Sequence, residues 1–310
     1  MGKWQSVERF CLYGHLVSMA FGLAGLLLVM PHPEFLQFVP FGPKLYTWSM
    51  AGGGVIYILL GAIAVSLYAV RTLGLRGWLG FLIPSVGLSL ASELSGTSTG
   101  FPFGDYSYLS GLGYKIAGLV PFTIPLSWYY LGLSAYLLAR AGLGADTEAH
   151  GQRFLRTLGA IALGSILLTS WDFVLDPAMS QTALPFWYWH QPGAFFGMPY
   201  QNFAGWFGTG VVFMAVASVL WGKSVPAVRQ ADLHFPLVIY LGNIAFATVM
   251  SLAAGFWVPV LLGMLTGTIP AILFWKAGQV PVLRLTVPSV AQTAEAQKAT
   301  LSPSVQAGTK

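Results

Sequence analysis

Runs of about 20 apolar residues recur between positions 11 and 275 of this chain, and no other feature limits its fold so sharply. Wound as a helix, a run of that length matches the thickness of a bilayer's hydrocarbon core. The runs fall at 11–30, 47–70, 78–95, 119–139, 154–175, 203–221, 235–254 and 256–275. With 55% of its residues hydrophobic, 8% charged and a mean hydropathy of +0.68, the chain is a poor candidate for a water-soluble core. Backbone polar groups inside lipid must be paired within the segment, which favours helices. The expected fold is therefore all-α, a polytopic membrane bundle of about eight transmembrane helices.

The basic residues give its orientation. With the N-terminus inside, eight spans put all but two of the 15 Lys and Arg residues on one side and leave only Lys44 and Lys115 on the other. Short loops rich in Lys and Arg stay in the cytoplasm, so both termini are expected there, in a bacterial cytoplasmic membrane. The basic residues stand singly rather than in blocks. The net charge of +5 is therefore a topology signal, and no nucleic-acid partner is expected. The first run is too long for a removable signal and reads as a retained helix. Cys11 is the single cysteine, which excludes an internal disulfide, and its place in the first run suggests packing. The expected transmembrane domain covers residues 1–276. Residues 277–310, rich in Ala, Ser, Thr, Gln and Lys with no apolar period, read as a flexible cytoplasmic tail.

Against that background four carboxylates stand out. Glu93 and Asp105 flank E-L-S-G-T-S-T-G-F-P-F-G-D-Y-S-Y, and Asp172 and Asp176 lie in W-D-F-V-L-D-P. Acids at the borders of membrane spans are costly and point to function. The expected topology gathers all four at the outer side, where loops 96–118 and 176–202 converge. The second loop holds P-F-W-Y-W-H-Q-P-G-A-F-F-G-M-P-Y-Q-N and no charged residue after Asp176. Aromatic residues that cluster like this are expected to fold back as a lid rather than form an interfacial belt. Asp172 and Asp176 are four apart and share a helical face. Pro177 is expected to end the helix near Leu175 and leave Asp176 on the cap. A poorly hydrated carboxyl at the negative end of a helix is disfavoured as an anion. Asp172 and Glu93 are thus expected to hold a proton, as a general acid must. Each acid could instead simply hydrogen-bond a neighbour such as Ser89, Ser92 or Ser170 and hold helices together.

Other chemistries find less support. Lys115 and then Lys44 are the cations placed nearest the acids, too few for a diphosphate substrate. No glycine motif for a nucleotide follows a strand. The D-x-x-x-D spacing resembles half of a prenyltransferase motif, but no second aspartate-rich cluster exists. His15, His32, His150, His190 and His234 show no paired metal-ligand spacing, and only His190 joins the acidic side. His15 reads as a packed, hydrogen-bonded residue. Neither metal nor cofactor is expected, and no nucleophile signature occurs. What remains is acid–base chemistry on a hydrophobic substrate. Aromatic faces each stabilise a desolvated cation by about 0.5–2 kcal/mol, so carboxyls set among rings suit a carbocation.

These stretches, together with G-L-V-P-F-T-I-P-L-S-W and G-M-P-Y-Q-N-F-A-G-W, resemble the membrane-integral carotenoid 1,2-hydratases called CruF, from about Gly80 to Trp221. That family includes γ-carotene 1′-hydroxylases and bisanhydrobacterioruberin hydratase-like cousins. The resemblance implies addition of water across the terminal double bond of an acyclic ψ-end, as in γ-carotene or lycopene, to give a tertiary 1-hydroxyl without a cofactor. On that chemistry Asp172 is the candidate general acid, and Asp176 or Glu93 the carboxylate that deprotonates water. Asp105 is a candidate for either role. Tyr106, Tyr108, Trp128, Trp171, Trp187, Trp189 and Trp206 are candidates for packing the polyene or shielding a cation, and Asn202 for holding water. Membrane lipid and a hydrophobic carotenoid are the expected partners. A lycopene cyclase or prenyl-transferring relative is the alternative enzyme. A proton-coupled transporter is the alternative outside enzymes, although it predicts acids spread through the bilayer depth and a repeated half.

Overall fold

At Gly74 the backbone takes φ 75° and ψ 172°, a conformation essentially closed to residues with a side chain, and there a helical stretch of 58 residues turns back on itself. Helix α2 (Gly42–Thr99) would otherwise be about 87 Å long, nearly three bilayer cores. Its two arms account for the second and third apolar runs, with a kink in place of the expected loop. The computed structural model describes residues 2–145, 152–182, 184–191, 193–222 and 228–279. The expected tail begins three residues before the end of the last described helix, and the rest of it lies outside the described residues.

The other helices are α1 (Lys3–Ala24), α3 (Thr123–Gly142), α4 (Arg153–Ser180), α5 (Tyr200–Trp221), α6 (His234–Ala253), α7 (Trp257–Gly263) and α8 (Ile269–Gln279). A π-turn at Gly25–Val29 extends α1, and another at Met264–Thr268 joins α7 to α8. Six of the resulting helical stretches are long and apolar enough to cross a membrane, the kinked α2 among them. The fold is an all-α polytopic bundle. Its flanks present apolar side chains such as Phe10, Phe21, Ile83, Val219 and Leu265 to the surroundings.

Helix α4 is the axis of the bundle, in contact with α3, α5, α6 and α7. Small residues let these neighbours close in. A side chain at Gly164 would meet Tyr136 of α3, one at Gly210 of α5 would meet Ser165, and one at Gly267 would meet Ser170. Helix α4 does not end near Leu175. It runs through Asp176 and Pro177 to Ser180, so Asp176 is a buried helical residue and not a cap. A proline removes one backbone donor, here the one that would serve the Phe173 carbonyl, and the packing of α4 against several helices outweighs that loss. The Ser180 and Thr182 hydroxyls donate to the carbonyls of Asp176 and Ala178.

At one end the loops form two small antiparallel pairs. Strand β1 (Tyr106–Tyr108) pairs with β4 (Trp187–Trp189), and β2 (Lys115–Ile116) with β3 (Val120–Pro121). The aromatic loops therefore fold back over the bundle as a lid. At the opposite end Arg71, just before the kink, donates to Glu8 of α1 at 2.8 and 2.9 Å and to Asp232, ahead of α6, at 2.7 Å.

Candidate active site

The lid arms the site through its pleat. Side chains alternate along a strand, so Tyr106 and Tyr108 point into the bundle while Ser107 points away. In β4, Trp187 and Trp189 take the inward positions and Tyr188 the outward one. The register sets Tyr106 opposite Trp189 and Tyr108 opposite Trp187, with ring centroids 5.0 and 6.1 Å apart. Both tyrosine hydroxyls reach Glu93: Tyr106 donates a short bond to Oε2, and Tyr108 donates to the same oxygen at 2.9 Å. Both tryptophan N–H groups reach Asp176 Oδ1, each at 3.0 Å. One strand thus serves one carboxyl and its partner strand the other. Burial and the adjoining Glu93 carboxyl push both phenols well above the usual tyrosine range, so they remain hydrogen-bond donors.

The helices complete the set. Trp128 of α3 donates to Glu93 Oε1 at 2.9 Å and lies flat against Trp206 of α5, their centroids 3.8 Å apart. Asn202, in the first turn of α5, donates to Asp172 Oδ2 at 2.7 Å and to Asp176 Oδ2 at 3.3 Å, tying the two aspartates together. Glu93, Asp172, Asp176 and Asn202 are each only 2% exposed. Glu93 and Asp176 each accept from three side chains. Asp172 accepts from Asn202 alone among the described side chains, which leaves its Oδ1 open to chemistry. The donors are indoles, phenols and an amide. Lys115, placed by the sequence as the nearest counter-charge, instead donates to the Tyr108 carbonyl at 2.5 Å and braces the lid.

These groups line a cavity beneath the lid. Glu93, Asp172, Asp176 and Asn202 meet there with Tyr106, Tyr108, Trp171, Trp187, Trp189 and Trp206. Of the residues singled out by the sequence, two stand apart. Trp128 lies behind Glu93 and Trp206, where it supports both rather than lining the cavity. Asp105 is exposed on the outer face of the lid, 4.0 Å from His190, whose Nε2 is 2.9 Å from the Ser107 hydroxyl. The acids that meet number three rather than four, and His190 sits on the outside with Asp105.

Several lining residues carried no sequence signal. Tyr57 and Ile58 of α2, Met179 of α4 and Phe246 of α6 are ordinary members of apolar runs, brought to the cavity only by packing. Phe103, inside the quoted F-P-F-G-D stretch though not itself singled out, also lines the cavity; its ring fills the space between Gly96 and Gly205, neither of which could carry a Cβ without displacing it. His15 is buried, as expected of a packed residue. Its Nδ1 bonds the Tyr57 carbonyl at 2.7 Å, and its Nε2 meets the Asn243 amide at 3.1 Å.

Chemically, the site offers three desolvated carboxyls, one with a free oxygen, in a cage of aromatic faces. Residues 53–270 match a family model described as carotenoid biosynthesis protein. Over 179 residues the chain is 34% identical to the bisanhydrobacterioruberin hydratase of Haloarcula japonica. That stretch is 58% of this chain and 58% of the relative, so the match spans rather more than half of that protein's length. No solved structure matches the chain.

Proposed function

Because the chain belongs to the carotenoid biosynthesis protein family, we propose that it is a carotenoid 1,2-hydratase acting on the acyclic ψ-end of a substrate such as γ-carotene or lycopene. The observation that carries this reading is the division of labour among the three carboxyls inside an aromatic cavity. Asp172 Oδ1 is the oxygen left free to carry and deliver a proton. Its proton goes to carbon 2 of the terminal alkene, whose π electrons form the new C–H bond and leave a tertiary cation at carbon 1. To Trp171 and Trp206, edge-to-face with ring centroids 5.7 Å apart in the cavity wall, we assign the stabilisation of that cation. A water held near Asn202 supplies the oxygen that bonds carbon 1. Its surplus proton goes to Asp176 Oδ2, where Asn202 is the only side-chain donor among the described residues, and a return transfer to Asp172 resets the pair. Glu93, saturated by Tyr106, Tyr108 and Trp128, fixes the lid over the cavity.

The hydratase that resembles this chain supports water, rather than an internal double bond, as the group that quenches the cation. The polar carboxyl and amide cluster supports it too, since such a cluster can hold water where a cyclase needs a dry pocket. We place the active site at the outer side of the cytoplasmic membrane. Lys44 and Lys115 lie toward the lid end, while Arg71, Arg76, Arg140 and Arg153 lie at the other. The test is expression in a host that makes lycopene or γ-carotene, with mass analysis of extracted pigment. The expected product has gained one water per ψ-end. A cyclase would leave the mass unchanged and a prenyl transferase would add an isoprene unit; either result, or untouched pigment in well-expressing cells, removes the hydratase reading.

A further inference from the structure

The cavity is not confined to the carboxyls. From them it continues past Leu112, Met179 and Phe186 to Gly54, Tyr57 and Phe246, with no charged side chain along that branch. Glu93 is six residues, about 9 Å, from the lid end of its helix arm, whereas Tyr57 lies near the middle of the other arm of α2. The cavity therefore descends from the lid toward the mid-depth of the bundle. Tyr57 and Phe246 face one another across the gap between α2 and α6, ring centroids 6.0 Å apart and planes 27° from parallel. Both are only partly buried, and their neighbours Ile56 and Val249 are 53% and 41% exposed on the flank. Where α1 passes this point it offers Gly22, whose missing side chain would stand 3.9 Å from the Phe246 ring. The strand pairs cover the lid end, and on the inner side Leu131 and Phe213 are fully buried.

From this geometry we infer that the substrate enters sideways from the bilayer, and that Tyr57 and Phe246 form the port through which its polyene passes while the end group reaches Asp172. This rests on the proposed carotenoid substrate and adds the route and the residues that select for it. A conjugated polyene is a stiff rod. It cannot coil up inside the cavity, so most of it has to leave through an apolar opening at a depth where lipid tails surround it. The flat, nearly parallel rings of Tyr57 and Phe246 suit a flat conjugated chain. His15, bonded to the Tyr57 carbonyl, holds one side of the port in place.

Two measurements in proteoliposomes test the route. The first narrows the port with Phe246→Trp and compares lycopene with a short acyclic isoprenoid hydrocarbon that ends in the same alkene. Turnover of the long substrate is expected to fall about tenfold or more while that of the short one stays within about twofold, because only the long one must thread the port. Equal losses, or no loss for lycopene, overturn the inference. The second does not depend on turnover. A photoreactive p-benzoylphenylalanine replacing Phe246 is expected to form a covalent adduct with lycopene on irradiation, whereas the same group replacing Ile83, 64% exposed on another flank, gives only background. Equal yields at the two positions overturn the route. If the wild-type protein hydrates neither hydrocarbon but position 246 still crosslinks selectively, the port stands and the hydratase reading fails.

Discussion

Asp172 and its neighbours differ in what each can lose. Replacing Asp172 with Asn removes the transferable proton while keeping a polar group of the same size beside Asn202. Hydration is expected to fall by about 100-fold or more with the protein still folded, as read from pigment turnover and the melting temperature in detergent. Retained turnover would take the acid role from Asp172. Trp189→Phe deletes one of the two indole donors to Asp176 and leaves a buried carboxyl under-bonded. The expected cost is about 1–3 kcal/mol of stability and a turnover loss of about tenfold. Asp105→Asn is expected to change neither, because that side chain faces outward from the lid. At this scale the sequence is informative where burial is expensive. Glu93, Asp172 and Asp176 are legible because a carboxyl beside an apolar run demands a reason. Asp105 sits in an equally suggestive motif, but which way it points depends on a strand register shared with residues some 80 positions away, and no local signal carries that.

The elements hold the acids through backbone features that can be tested singly. Gly74→Ala introduces a side chain where φ is positive and no atom lies within 4 Å of the new Cβ, so the penalty is conformational rather than steric. A destabilisation of about 1–3 kcal/mol is expected, with turnover per folded molecule unchanged. Gly205→Ala acts differently. Its Cβ would stand 2.9 Å from the Pro102 carbonyl and closer still to the Phe103 ring, so the lid shifts and turnover falls even in protein that folds. Measuring stability and turnover on both variants separates the two mechanisms. The helices themselves are legible from hydropathy, since a span of fixed thickness needs a run of fixed length. Their ends are less so. Pro177 reads as a stop by the rules of soluble helices, yet α4 continues past it for a further three residues, because packing against several helices outweighs the one bond lost. The expected loop between the second and third runs shrinks to one glycine, whose positive φ makes the break between the two arms.

As a whole, the molecule has two differently charged ends. At one, Arg71 binds Glu8 and Asp232 and joins α1, α2 and the approach to α6. Arg71→Met leaves two mostly buried carboxylates without that partner and is expected to cost about 3 kcal/mol, read as a lower melting temperature, with the pigment product unchanged. Orientation is tested by replacing the exposed Ser110 with Cys in a Cys11→Ser background. A membrane-impermeant thiol reagent is expected to label intact cells and not inside-out vesicles; the reverse pattern would place the lid in the cytoplasm. The charge asymmetry behind this prediction is plain in the sequence, while the port between α2 and α6 is not, since it is made of commonplace residues whose role arises only from packing. The pairing of β1 with β4 has one more consequence. Those strands carry four of the donors that hold Glu93 and Asp176, so lifting them to admit solvent from above would unfasten both carboxyls in the same motion. On the proposed chemistry the lid would act as an interlock, since Glu93 and Asp176 keep these four donors only while β1 and β4 stay in place.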